Sequence, residues 1–523
     1  MQLVILNATG RLAEPSVAQY FETTAICASW PDSRLWCNYI GALAGTVRTT
    51  VRAGTLAGAL AAESQMYGGS RSCRAGMLFI QESLRMYQRG DSIEHILSKC
   101  RHREGRPTVQ GYQRDVRPLG GVDERIEPVT ARVKDLGFPV GPHRALALEI
   151  SSYLSRHHGE GMNANGLDSA ILSDLGFSPE EAHRIRALTV ASGVTACFVD
   201  ARDRPGLAFL PLQCEDIAYR GPDAQPLPST ASPRDQPPSR RDAAPVNAAP
   251  NAPALLPWDR RRGTITSRAG GRRMDGDVII RGHSFLDDLF NKIGYTQFKI
   301  LNATGRLIEP KVAEYFDALE MTVSWPEPRI WCNGVGALAG TVHTTVGAGT
   351  MAGLLASDSR LYGGGLSSLK GMPFIANALE ARRRGDSIEQ ILSRYLDVQG
   401  RPIAPGYVRP VGGGDERIAP ATAVVKSLGF AIGPHRALAL EISDYLDAHH
   451  GEGMNIGGFD CAFLCDQGFS GEEIYRIRST TNASGITACW TDTRDRPGQA
   501  FLPLQCEDIA YLGTSPRPLP PVA

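Results

Sequence analysis

Along most of this chain the apolar positions recur with a helical period. After Gly433-Pro434, Leu438, Ile442, Tyr445 and Leu446 fall at i, i+4, i+7 and i+8, on one face of a helix. Proline at the first turn and Gly451 after His449-His450 follow the usual asymmetry of helix ends, so this helix is predicted to begin at Pro434 and stop at His450. Ser470-Gly471-Glu472-Glu473 predicts another start, with the Ser470 hydroxyl capping the first amides and Glu473 reaching back. Strands are not evident. The pattern predicts an all-α protein.

The same pattern occurs twice. Leu6 to Leu12 (LNATGRL) recurs as Leu301 to Leu307, Trp36-Cys37-Asn38 as Trp331-Cys332-Asn333, and Tyr67-Gly68-Gly69 as Tyr362-Gly363-Gly364. Asp123-Glu124-Arg125 recurs as Asp415-Glu416-Arg417, and Asp168 as Asp460. The register moves by the three residues Gln113-Arg114-Asp115, an insertion in the first copy. A repeat this long marks duplicated domains rather than a solenoid. The expected division is copy one over 1–220, a Pro/Ala/Arg-rich linker over 221–276, copy two over 277–513 and a tail over 514–523. Pro228, Pro233, Pro237, Pro238 and Pro245 exclude a continuous helix in the linker, whose composition predicts a flexible, partly extended segment.

Charge adds little: Lys+Arg and Asp+Glu both count 55 in 523 residues. This gives no electrostatic reason for a nucleic-acid or acidic-membrane partner. No apolar run approaches the ~20 residues of a membrane helix. Eleven cysteines without paired CxxC spacing predict reduced thiols and a cytoplasmic protein, with no metal site.

Three ordered segments resemble the citrate synthase / citryl-CoA lyase superfamily. Arg281-Gly282 to Leu289, followed by Leu301 to Leu307, is similar to that family's opening. The small-residue stretch Thr344 to Ser357, leading to Leu361-Tyr362-Gly363-Gly364, resembles the helix ahead of its His-Gly-Gly. Gly406 to Arg417, then Asn455 to Asp460, resembles its Gly-x-Gly-His, Asp-Pro-Arg and Pro-Asn-Val-Asp segments. The order holds over nearly all of copy two, and over copy one from its first residue, which starts inside the motif and lacks the opening segment. The resemblance implies two helical units forming a pseudo-dimer in place of a homodimer, with higher oligomers open. It also implies acyl-CoA and oxo-acid substrates, no tightly bound cofactor, and active sites in interdomain clefts.

Such chemistry needs a base for the α-proton of a thioester and donors for the enolate oxygen. By resemblance the base falls on Asp168 and Asp460; the alternative is a helix cap. The carboxylate-binding arginine falls on Arg125 and Arg417, whose planar fork suits the task; the alternative is an ion pair with Glu124 or Glu416. The family's three histidines are replaced. Asn38 and Asn333 take the first position, Tyr67 and Tyr362 the second, and Arg117 and Arg409 fall near the third. Each can donate to an oxyanion, but is a poorer proton shuttle than histidine. The implied function is formation or cleavage of a carbon–carbon bond between an acyl-CoA and an oxo-acid. The alternative is a relative that binds CoA or a metabolite as a regulator or scaffold. Copy two is expected to hold the more competent site, since copy one carries Arg52 for Gly347, the loop insertion and no opening segment. Cys37 and Cys332 are read as small buried residues, and His157-His158 and His449-His450 as helix C-terminal residues answering the dipole.

Overall fold

The computed structural model describes residues 1–63, 69–103, 106–112, 123–204, 267–272, 277–358, 365–407 and 414–496. These are overwhelmingly helical. The first half runs α1 (Gln2–Thr9), α2 (Pro15–Ala28), α3 (Trp36–Thr46), α4 (Val51–Ala61), α5 (Gly69–Gln88), α6 (Ile93–Ser98), α7 (Ile126–Asp135), α8 (Pro142–His158), α9 (Ala164–Asp174), α10 (Pro179–Ile185) and α11 (Ala191–Arg202). The second half repeats them as α12 (Tyr295–Thr304), α13 (Pro310–Val323), α14 (Trp331–Thr341), α15 (Val346–Ala356), α16 (Ser368–Arg383), α17 (Ile388–Leu392), α18 (Ile418–Ser427), α19 (Pro434–His450), α20 (Ile456–Asp466), α21 (Gly471–Ile477) and α22 (Ala483–Asp495).

Local signals place these helices well. α19 begins at Pro434 and ends at Gly451, which takes the left-handed conformation (φ 66°). Ser470 and Glu473 form the reciprocal capping box of α21. The apolar faces meet in a main core in each half, with Ile150, Leu154, Leu167 and Ile171 in the first and Leu438, Ile442, Phe459 and Phe463 in the second, and smaller clusters besides, one of them joining Leu56 to Met351, Leu354 and Ile486.

Two short sheets depart from the all-helical pattern. β1 (Arg101–Arg103) pairs with β2 (Arg106–Thr108), and β3 (Gly270–Arg272), β4 (Val278–Ile280) and β5 (His283–Ser284) form an antiparallel trio. Strands of two or three residues carry no readable period. The trio lies across the end of the expected linker. Arg268, inside that interval, bonds Asp200 of α11 through its amide and its Nε, both at 3.0 Å. The segment expected to open the second copy packs on the first: Val278, Ile280, Phe285 and Leu289 join its core, and the Phe285 ring meets Trp30 edge-on at 5.1 Å.

The halves also touch reciprocally. Asn7 donates to Ser484 at 2.7 Å, and the matching Asn302 donates to Ser192 at 2.8 Å. Arg184 forks onto Asp495, with both bonds at 2.6 Å, and the matching Arg476 forks onto Asp203 at 2.7 and 2.9 Å. In both cases residue i meets j and the copy of i meets the copy of j.

Candidate functional site

α9 opens at Asn163, whose side-chain oxygen accepts from the Asn165 and Gly166 amides at 3.0 and 3.1 Å. Asn455 does the same for α20, at 2.9 and 3.1 Å. The caps are therefore asparagines, and Asp168 and Asp460 sit a turn inside their helices, buried. Asp168 accepts from the Tyr20 hydroxyl at 2.7 Å and from Arg186 at 2.6 Å, while the Cys73 thiol lies 3.5 Å from its other oxygen. Asp460 accepts from Tyr315 at 2.9 Å and forms an ion pair with Arg478. Burial pulls the Arg186 guanidinium down, but the Asp168 carboxylate together with Cys73, Tyr20 and Cys27 raises it on balance. Burial, with Asp168 adding to it, pushes the Tyr20 hydroxyl well above its ordinary range. Each carboxylate is thus closed in by an arginine and a tyrosine.

Arg125 lays its fork on Asp123 at 2.8 and 2.7 Å, sends a third bond to the Cys27 carbonyl at 3.3 Å, and stands over the Trp30 ring. Arg417 repeats the fork on Asp415 at 2.8 and 2.7 Å, over Trp325. The fork partner lies two residues upstream, one position before the expected glutamate. Asp123 also accepts from the Ala164 amide at 2.9 Å, and Asp415 from the Ile456 amide at 2.8 Å. On the other side, Gly111 accepts from the Asn163 amide at 2.8 Å and Gly406 from the Asn455 amide at 2.9 Å. Gly111 and Gly406 have φ of 90° and 94° and lie against Gly166 and Gly458, so a side chain at either would be strained and would strike backbone. Both ends of the loop carrying Arg117, and of the loop carrying Arg409, are therefore fastened to the start of the helix that carries the aspartate.

Asn38 and Asn333 are buried and turned toward backbone. Asn38 donates to the Trp30 and Asp32 carbonyls at 2.5 and 3.1 Å; Asn333 donates to those of Trp325 and Glu327 at 2.6 and 3.2 Å. Each clamps the turn ahead of its helix. One run of chain, Tyr20 to Trp30, thus gathers Asp168, Arg125 and Asn38 of the first half. Tyr20 and Thr24 meet Asp168 and Arg186, the Cys27 carbonyl meets Arg125, and the Trp30 carbonyl meets Asn38. Tyr67, Tyr362, Arg117 and Arg409 lie outside the described residues.

Tyr20 and Arg186 are not singled out from the sequence, and Asp123 enters it only as part of the repeat, not as the partner of Arg125. The repeat could have shown them, because Tyr315, Arg478 and Asp415 stand at the matching positions. Among the described residues, no three His, Cys, Asp or Glu side chains come together as a metal site. No helix there is long and apolar enough to cross a membrane. Two cavities are described. One of about 160 Å³ lies between the halves beside Arg478, Lys299 and Glu320; the other, about 550 Å³, is a groove by Arg11 and His143. Neither is lined by Asp168, Asp460, Arg125 or Arg417.

No family model matches the sequence, and no curated protein matches it. Among solved structures, citryl-CoA lyase from Hydrogenobacter thermophilus is similar at 21% identity over 49% of this chain and 97% of that one, with a TM-score of 0.42. ATP citrate lyase from Methanothrix soehngenii, in complex with citrate and coenzyme A, is similar at 19% identity over 51% and 45%, with a TM-score of 0.42. Citrate synthase from Thermoplasma acidophilum is similar at 14% identity over 44% and 59%, with a TM-score of 0.35. Likeness at this level assigns neither family nor activity.

Proposed function

We propose that this chain is a citrate-synthase-like protein that forms or cleaves a carbon–carbon bond between an acyl-CoA thioester and an oxo-acid, its two halves standing in for a homodimer. The observation that carries the reading is the duplicated scaffold. In both halves a buried aspartate, held by a tyrosine and an arginine from other elements, sits in the helix to which the arginine-bearing loop is fastened at both ends. In this reading Asp460 and Asp168 take the α-proton once substrate loosens the Arg478 and Arg186 pairs. Asn333, Tyr362 and Arg409 donate to the enolate oxygen, and Arg417, Arg125, Asn38 and Tyr67 bind substrate.

A second reading is favoured by the closed geometry. Asp168, Asp460, Arg125, Arg417, Asn38 and Asn333 all bond to the protein itself, which suits a protein that binds CoA or a metabolite without turning it over. Thiol release from acetyl-, propionyl- and longer acyl-CoA with a panel of 2-oxo acids separates the two. Turnover that Asp460→Asn abolishes, with CoA binding by calorimetry retained, supports the enzyme. CoA binding without turnover supports the second reading, and neither binding nor turnover overturns both.

A further inference from the structure

α4 and α15 are copies of one helix that meet where the halves join, and their first turns differ. Position 52 is arginine in α4; its counterpart in α15 is Gly347. Arg52 is fully buried among second-half groups. It donates to the Leu354 carbonyl at 3.0 Å, to the Arg478 carbonyl at 2.9 Å and to the Ser357 hydroxyl, with Asp358 at 3.9 Å. Burial pulls its guanidinium down, and Asp358 opposes that pull.

The matching crossing is built the other way round. There the Glu63 carboxylate of the first half fills the place that a side chain at 347 would take. It accepts from the Thr345 hydroxyl at 2.7 Å and from the Gly347 amide at 3.1 Å, with His183 at 3.6 Å. A Cβ at 347 would fall inside that carboxylate. A carboxylate at the first turn of a helix is also well placed against the helix dipole.

The two crossings disfavour self-pairing. Two second halves would set Gly347 against Ser357 and Asp358, leaving an arginine-sized void and a carboxylate without its cation on each side. Two first halves would set Arg52 where the Glu63 carboxylate lies in the native crossing, so Glu63 must leave its bonds to the helix start before the two charges can pair, with Ala62 in place of the Ser357 hydroxyl. We infer that this junction is a complementary lock that fits a first half only to a second half: Arg52 matches Ser357–Asp358, and Glu63 matches the bare backbone at Gly347. Specificity arises as much from the wrong pairs being penalised as from the right pair being favoured.

The test is made in the full chain by thermal melts. Gly347→Arg, and Arg52→Gly with Gly347→Arg, should each lower the midpoint by about 6–12 °C. The full exchange adds Ser357→Ala, Asp358→Glu, Ala62→Ser and Glu63→Asp to that double variant, so that each crossing takes the other's chemistry; it should recover at least half of the loss. Gly347→Ala, a smaller step, should lower the midpoint measurably and keeps the test readable where the arginine variants do not fold. A Gly347→Ala midpoint equal to the parent's, or an exchange set no more stable than the double variant, would overturn the lock.

Discussion

Replacing Asp168 by asparagine keeps the shape of the side chain and removes its charge. The site is 4% exposed, with Arg186 at 2.6 Å and Tyr20 at 2.7 Å on the same oxygen, so no solvent takes over. The asparagine oxygen can still accept from Arg186 and Tyr20, but the guanidinium stays buried without a counter-charge, beside Thr24 and the Phe21 ring. Removing one member of a buried pair costs about 3–5 kcal/mol. At about 2–4 °C per kcal/mol for a unit of this size, the midpoint should fall by about 6–20 °C. Arg186→Met should do the same from the other side. The double change Asp168→Leu with Arg186→Met removes both charges. It should lose less than either single variant, with the unpaired Tyr20 hydroxyl accounting for about 1–3 kcal/mol of the residue. Melts followed by circular dichroism over the cycle of Asp168→Leu, Arg186→Met and their double variant give the coupling directly. An Asp168→Asn midpoint unchanged from the parent's, or a double variant as unstable as the sum of the singles, would refute the view of Asp168 as an anchored charge.

Two further outcomes follow from the same burial. Burial alone would push the Asp415 carboxyl up, but the Arg417 fork and the Ile456 amide hold it below its ordinary 3.8. The stability it contributes is therefore complete above the unfolded value and is lost as pH falls through the lower folded one. Asp415→Asn should melt lower at pH 7 and show a flatter loss of stability as pH falls below its ordinary 3.8; an unchanged acid slope would contradict this. Burial pushes the thiols of Cys27, Cys197, Cys461 and Cys489 up to about 12. These four should resist a disulfide reagent at pH 8 in the native chain and react fully in denaturant, as mapped by mass spectrometry. Native labelling of Cys27 or Cys461 at the denatured rate would count against their burial.

The parts of the fold legible in the sequence are those with local causes. The α19 boundaries and the α21 capping box follow from residues within a few positions of one another. What the sequence hid depends on distant partners. Phe285 lies in the segment expected to open the second copy, yet its ring packs on Trp30, and chain order says nothing about which half a segment covers. Asp168 was found by resemblance, but its partner Arg186 comes from the turn after α10. Asn38 was placed at an altered catalytic position, whereas its amide holds two backbone carbonyls, a contact that leaves no trace in composition or period.

The fastened loops have a consequence for change over time. Gly111 and Asp123 hold one span and Gly406 and Asp415 the other, with the same backbone bonds to Asn163 and Ala164 or to Asn455 and Ile456. Three extra residues in the first span leave those anchors unaltered. The closure entropy of so small a difference is roughly 0.3 kcal/mol, far below what a misplaced core side chain costs. Length and side chains between the anchors can therefore drift while the helices beneath stay under full packing constraint, so each half can diversify its loop without redesigning its frame.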